Sequence, residues 1–211
     1  MAETMTMNRV IHQAVRRDLA RLEAALGTAK DGDLARARQL HRAYDNLHRE
    51  LTRHHEGEDQ HVFPYLAEVG VPSDLLTAMD DEHHAMADAL AGTRTAMDAY
   101  AASGTATDAA SARSSVARTK EVVDRHLDHE ERDLEPLLRP LFATDGWKAV
   151  EKKLRRASPV VVGLFFAWVQ DGMTTEGRAY LRSTIPSPVT TFFSRVPGRG
   201  YHRDIAPTWQ T

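Results

Sequence analysis

The chain has 211 residues, 42% of them hydrophobic and 27% charged, with a net charge of −3 and no cysteine. That is an ordinary globular mixture, large enough for one well-packed bundle plus an appendage, with no overall electrostatic pull toward nucleic acid or a membrane surface. The absence of cysteine excludes disulfides, zinc fingers, iron–sulfur clusters and thiol catalysis, so any metal site must use His, Asp, Glu or Tyr, donors that suit iron, manganese or zinc better than Cu(I).

The first eight residues, Met1 to Asn8, lack the basic patch and apolar core of a secretory leader. The longest apolar run, Val160 to Val169, is half of what a membrane span requires. The expectation is a cytoplasmic protein with neither a membrane nor a nucleic-acid partner. From Arg9 to Leu26, Ile11, Val15, Leu19, Leu22 and Leu26 recur at helical spacing. Gly27, Gly32 and Asp33 mark a turn, with Asp33 placed to cap a second helix running toward Phe63 and Pro64. Pro72 and Ser73 mark the next turn, with Ser73 as N-cap. A third helix runs to about Ala102, where Ser103 and Gly104 break it. A fourth runs from about Ala109 to Phe142. Four long helices with short connections predict an all-α, up-down four-helix bundle over residues 1–145.

Residues 146–211 differ. They are rich in Pro and Gly and carry ten Lys or Arg against four acids, a local charge of +6 that leaves −9 for the rest. This region reads as a helical C-terminal extension, with helices at Trp147–Arg156, at Pro159–Gln170 behind a Ser158 cap, and after Thr175. The last dozen residues read as an extended tail. The apolar side of Pro159–Gln170 is expected to pack on the chain's own bundle or across a homodimer. The basic excess would dock on the acidic bundle.

The chemistry lies in the histidines. There are eleven, and their placement is ordered. His54 is followed by Glu58 and His126 by Glu130, and residues four apart share one helix face. Each pair is followed by a proline ten residues after its histidine, Pro64 and Pro136. Each has a partner on the preceding helix: His12 lies 42 residues before His54, and His83 lies 43 before His126. The sequence thus holds two copies of one unit, which points to a common site. His12 shares the stripe of Val15 and Leu19, and His83 that of Met79, Met86 and Leu90. Six ionisable side chains aimed into a core would each cost several kcal/mol if left unpaired. Two metal ions would remove that cost and leave positions for an oxo or hydroxo bridge and an outside ligand.

This pattern resembles the hemerythrin-like (HHE cation-binding) family over about residues 9–142. The resemblance implies a non-haem site of two iron ions. Glu58 and Glu130 would bridge them, His12 and His54 would bind one, and His83 and His126 the other. It further implies a protein that reacts with or senses dioxygen, peroxide or nitric oxide. Whether such a protein turns over as an enzyme, or acts as an iron or oxygen sensor or store, is open at this point. A purely structural bundle is a third alternative. Oxygen-carrying members add a fifth histidine one turn from that of the third helix. Met79 and Ala87 hold those positions here, an argument against reversible dioxygen carriage.

The other histidines have simpler readings. His55 and His84 adjoin ligand positions but point about 100° away from them, toward the surface or the site's surroundings. His129 lies on the flank of the core face, placed to donate to a neighbour of the site. His61, seven residues after His54, is placed to hydrogen-bond Asp133 beneath the metals or else to reach an aqueous edge.

Overall fold

A computed structural model describes residues 5–210. Residues 1–4 and 211 lie outside the described residues, and with them half of the segment read above for a leader. Helix α1 (Met7–Gly27) starts at Thr6, whose hydroxyl accepts from the Arg9 N–H. Asp33 caps α2 (Leu34–Gly57) in the same way, accepting from Arg36 N–H. The chain continues through a π-helical turn, Glu58–Val62, into α3 (Phe63–Glu68). Helix α4 spans Ser73–Ser103, with Ser73 inside the helix and Pro72 at the cap position. It ends at Gly104, whose φ of +67° is the left-handed conformation that suits glycine. Helix α5 (Ala106–His129) begins at a Thr105 cap and also runs into a π turn, Glu130–Leu134. The short α6 (Glu135–Leu138) and a 3₁₀ turn, Arg139–Leu141, follow.

The two π turns come from the repeated prolines. In an α-helix the Pro64 nitrogen would face the Gln60 carbonyl, but it has no hydrogen to offer and its ring crowds that oxygen. The ladder slips by one residue instead: Phe63 N–H bonds Glu58 O, and Glu135 N–H bonds Glu130 O, each five residues back.

The four long helices each pack against two others, α1 with α2 and α5, and α4 with α2 and α5. Most of the apolar interior forms one cluster that includes Val15, Leu19, Leu47, Leu51, Met86, Val123 and Leu127. A smaller cluster holds Val62, Phe63, Leu66, Met79, Leu134 and Leu138. Between the two, every long helix, α1 included, turns at least one buried His inward: His12, His55, His83 and His126. A polar layer therefore crosses the bundle.

The extension packs on this frame. Helix α7 (Asp145–Leu154), begun by a Thr144 cap, adds Trp147 and Val150 to the smaller cluster. Helix α8 (Pro159–Gln170) has the expected Ser158 cap and lies against α1. Its Trp168 is fully buried and donates from Nε1 to Asp18 Oδ2 at 2.8 Å. Arg17 completes the joint, donating to the carbonyls of Trp168 and Asp171. Helix α9 (Thr175–Thr184) follows as expected, and α10 (Ser187–Arg195) was not anticipated.

The extended tail is a correction. Helix α11 (Arg199–Asp204) and a 3₁₀ turn (Ala206–Trp209) occupy it, and Tyr201, Ile205 and Thr208 are buried. Those three recur at helical spacing, a signal masked by Gly200 and Pro207. Arg36 of α2 anchors the turn by donating to Thr208 O at 2.8 Å. No strand occurs among the described residues, and no helix among them is long and apolar enough to cross a membrane.

Candidate metal centre

The polar layer brings all six predicted residues together. His12 Nε2 of α1 stands 3.2 Å from His54 Nε2 of α2 and 3.2 Å from Glu130 Oε2. His54 Nε2 is 3.4 Å from Glu58 Oε1, and His83 Nε2 of α4 is 3.6 Å from Glu58 Oε2. His126 Nε2 of α5 is 4.0 Å from Glu130 Oε2, and its ring centroid is 4.7 Å from that of His83. Each glutamate is the first residue of a π turn. The slipped ladder belongs to the segment that carries the carboxylate.

Three of the rings are held from outside by carboxylates. His12 Nδ1 bonds Glu131 at 2.8 Å, His83 Nδ1 bonds Asp59 at 2.7 Å, and His126 Nδ1 bonds Glu82 at 2.8 Å. Such a partner fixes the proton on Nδ1 and turns the Nε2 lone pair inward, the arrangement that metal-bound imidazoles use. Arg16 steadies Glu131 at 2.6 Å, and Asn8 donates to Glu130 Oε1 at 2.8 Å. The other Glu82 oxygen accepts from His129 at 2.8 Å, the flanking role expected of that histidine. Glu131, Asp59 and Glu82 were not singled out in the sequence. Asp59 and Glu131 directly follow Glu58 and Glu130, which is the signal that would have found them.

The inward atoms are left over. Nε2 of His83 and His126 and Oε2 of Glu58 and Glu130 are buried with no hydrogen-bond partner. An orphaned buried polar atom costs about 1–3 kcal/mol, and proteins seldom leave several in one place. Imidazole and carboxylate donors converging on one small volume fit a metal ion.

His55 follows the second of its two readings, toward the site's surroundings. It is buried, not on the surface, with its ring stacked 4.3 Å from that of His83 and its Nε2 also unpartnered. Helix α2 is packed on two sides here, which excludes the surface reading. His84 is exposed, as expected, and bonds only within its own helix turn. The His61–Asp133 bond does not form. His61 Nδ1 instead takes Gln60 O at 2.8 Å, the carbonyl that Pro64 cannot serve, and Asp133 pairs with Arg132 and His129. The π turn shifts every residue after Glu58 off the phase from which that bond was inferred. Of the two positions weighed for a further histidine on α4, Met79 is buried while Ala87 is exposed and faces away.

Burial and charge set the protonation states. Burial, then the neighbouring His12, pushes His54 down to about 3, and burial also lowers His126 and His55. These rings are neutral at physiological pH and their lone pairs are available. Burial works against His12 as a cation, but Glu130 and Glu131 outweigh it and raise its pKa. Burial favours neutral Glu130, yet His12, His54 and His126 hold it below the ordinary carboxylate range. Burial and then Glu130 push Glu58 well above that range. Two carboxylates this close cannot both stay ionised without a cation between them.

Among the described residues, three groups have ligand atoms mutually within 4.8 Å: His12 with His54 and Glu130, His55 with His83 and His126, and His54 with His55 and Glu58. Comparison with curated proteins and with solved structures finds no match. The family model described as "Hemerythrin HHE cation binding domain" matches residues 8–138, which take in every residue of the polar layer. With an all-helical fold, a buried cluster of His and Glu, and a match over more than half its length, the chain belongs to the hemerythrin HHE cation-binding family.

Proposed function

We propose that the chain is a hemerythrin-like non-haem di-iron protein that reacts with or senses dioxygen, peroxide or nitric oxide. The observation that carries this is the set of buried, unpartnered Nε2 atoms of His83 and His126 and Oε2 atoms of Glu58 and Glu130, beside His12, His54 and Glu130, whose ligand atoms lie within 4.8 Å of one another. Bound there, iron would supply a one-electron couple and exchangeable coordination positions for small oxidants and diatomic gases.

The chain's own residues do the rest. Glu131, Asp59 and Glu82 lock three rings in the metal-binding tautomer. Asn8 occupies one Glu130 oxygen and leaves the other facing His12 and His126. The two apolar clusters close the layer on both sides, restricting water and raising the strength of every electrostatic interaction inside.

Two measurements test the reading. Metal analysis of the iron-loaded protein should return about two irons per chain, as two ligand sets require. Anaerobic reduction, then addition of dioxygen, peroxide or nitric oxide, should change the optical spectrum with at least one of them. A protein that retained no iron, or whose iron responded to none of the three, would end the proposal.

A further inference from the structure

We infer that His55 is a fifth nitrogen ligand, sharing one metal with His83 and His126. The inference rests on the two-metal reading above.

Adjacent residues on a helix point about 100° apart. On most helices that sends one inward and one to the surface. Helix α2 lies between α1 and α4, and at this level both directions are interior. His54 turns toward His12 of α1, and His55 turns toward His83 of α4. The His55 and His83 rings stack at 24°, and His126 stands across them with its centroid 5.5 Å from that of His55. One ring nitrogen from each of the three lies within 4.8 Å of the others. A histidine buried for packing alone would give its Nε2 a hydrogen-bond partner, as His12, His83 and His126 do for their Nδ1 atoms. His55 Nε2 has none, and neither has Nε2 of His83 or of His126. Three inward lone pairs with nothing to accept them repel one another, and a cation between them converts that repulsion into three bonds. His54, His55 and Glu58 also offer atoms within 4.8 Å of one another, so Glu58 reaches both halves of the site. The fifth nitrogen, sought on α4 at positions 79 and 87, is supplied from α2. Donor counting then makes the halves unequal, three imidazoles against two.

The test loads the full chain with iron-57 and reads metal retention and Mössbauer spectra. It compares wild type, His55→Ala, His55→Gln and, as an exposed control, His84→Ala. Wild type and control should show two distinct iron signals. In both His55 variants one signal should move and the other stay, and metal retention against a weak chelator should fall on the order of tenfold or more. Added imidazole should return the moved signal in His55→Ala. Unchanged signals and retention in variants that still bind two irons would overturn the role of His55 and leave the two-metal reading intact. A wild type that binds no iron overturns both. If the variants fail to fold, the cobalt(II)-loaded wild type decides by the number of strongly shifted imidazole N–H resonances: five support His55 as a ligand, and four exclude it.

Discussion

At the scale of single residues, the site is built as much by the carboxylates behind the histidines as by the histidines themselves. Glu82 is the clearest case, since its two oxygens accept from His126 and His129 separately. Glu82→Ala should weaken iron binding about 10–100-fold, the range for losing such a support. Glu82→Gln, which keeps one acceptor, should fall between that and wild type. Competition against a chromophoric chelator measures both. Equal affinity in all three proteins would mean that the ring is held by packing alone. Glu58 and Glu130 matter differently, because each stands between two histidines on different helices. A Glu58→Ala, Glu130→Ala double variant should lose most of its iron. Full iron content in that variant would remove the bridging role from both.

At the scale of elements, the two π turns and the α8 joint each depend on a residue that lacks something. Pro64 and Pro136 lack an N–H, and the slip that follows puts each glutamate at the start of a wider turn. Gly163 lacks a Cβ, and α8 uses that space to lie against the end of α10. A Cβ on Gly163 would stand 2.6 Å from Phe193 O, and one on Gly198 would stand 2.5 Å from Ser194 O. Both obstacles are backbone, which cannot swing aside. Gly163→Ala should therefore cost about 1–3 kcal/mol through overpacking. Iron content should not change, because the affected contact touches neither α4 nor α5. Denaturant melts with parallel metal analysis check this. A variant as stable as wild type would show that α8 and α10 can separate freely.

At the scale of the whole molecule, the polar layer divides the core, so metal and stability are linked. Without a cation the layer holds converging lone pairs and two carboxylates that compete for charge. A ligand that binds only the folded chain adds about 4 kcal/mol at a thousandfold excess over its dissociation constant. The chelator-treated protein should melt well below the iron-loaded one by calorimetry. Equal melting temperatures would favour a bundle whose histidines are structural. The extension contributes from the other side. Truncation after Phe142 removes Trp168 from Asp18 and uncovers the α1 surface against which α8 lies. The shortened protein should lose solubility or thermal stability while keeping the histidines and glutamates of the layer. Light scattering and melting curves that match the full chain would show the extension to be independent of the bundle.

The periodicity of apolar residues was enough to locate the long helices, and the repeated His-x-x-x-Glu unit was enough to name six residues that the fold brings within a few ångströms. Both signals are local: one helical turn determines which side chains share a face. The Ser158 cap and the bounds of α8 were legible for the same reason. What depends on several helices at once was not legible. His55 looked peripheral because one face of α2 was assumed to be interior, whereas packing against both α1 and α4 buries two. His61 lost its expected partner because a π turn changes the phase, and the slip shows only when the Phe63 N–H is traced to its acceptor. The tail folded because Tyr201, Ile205 and Thr208 found a surface to cover, one that exists only once α1, α2 and α8 are assembled. A sequence pattern fixes which residues can face inward together. How many sides of a helix are inside is decided by its neighbours.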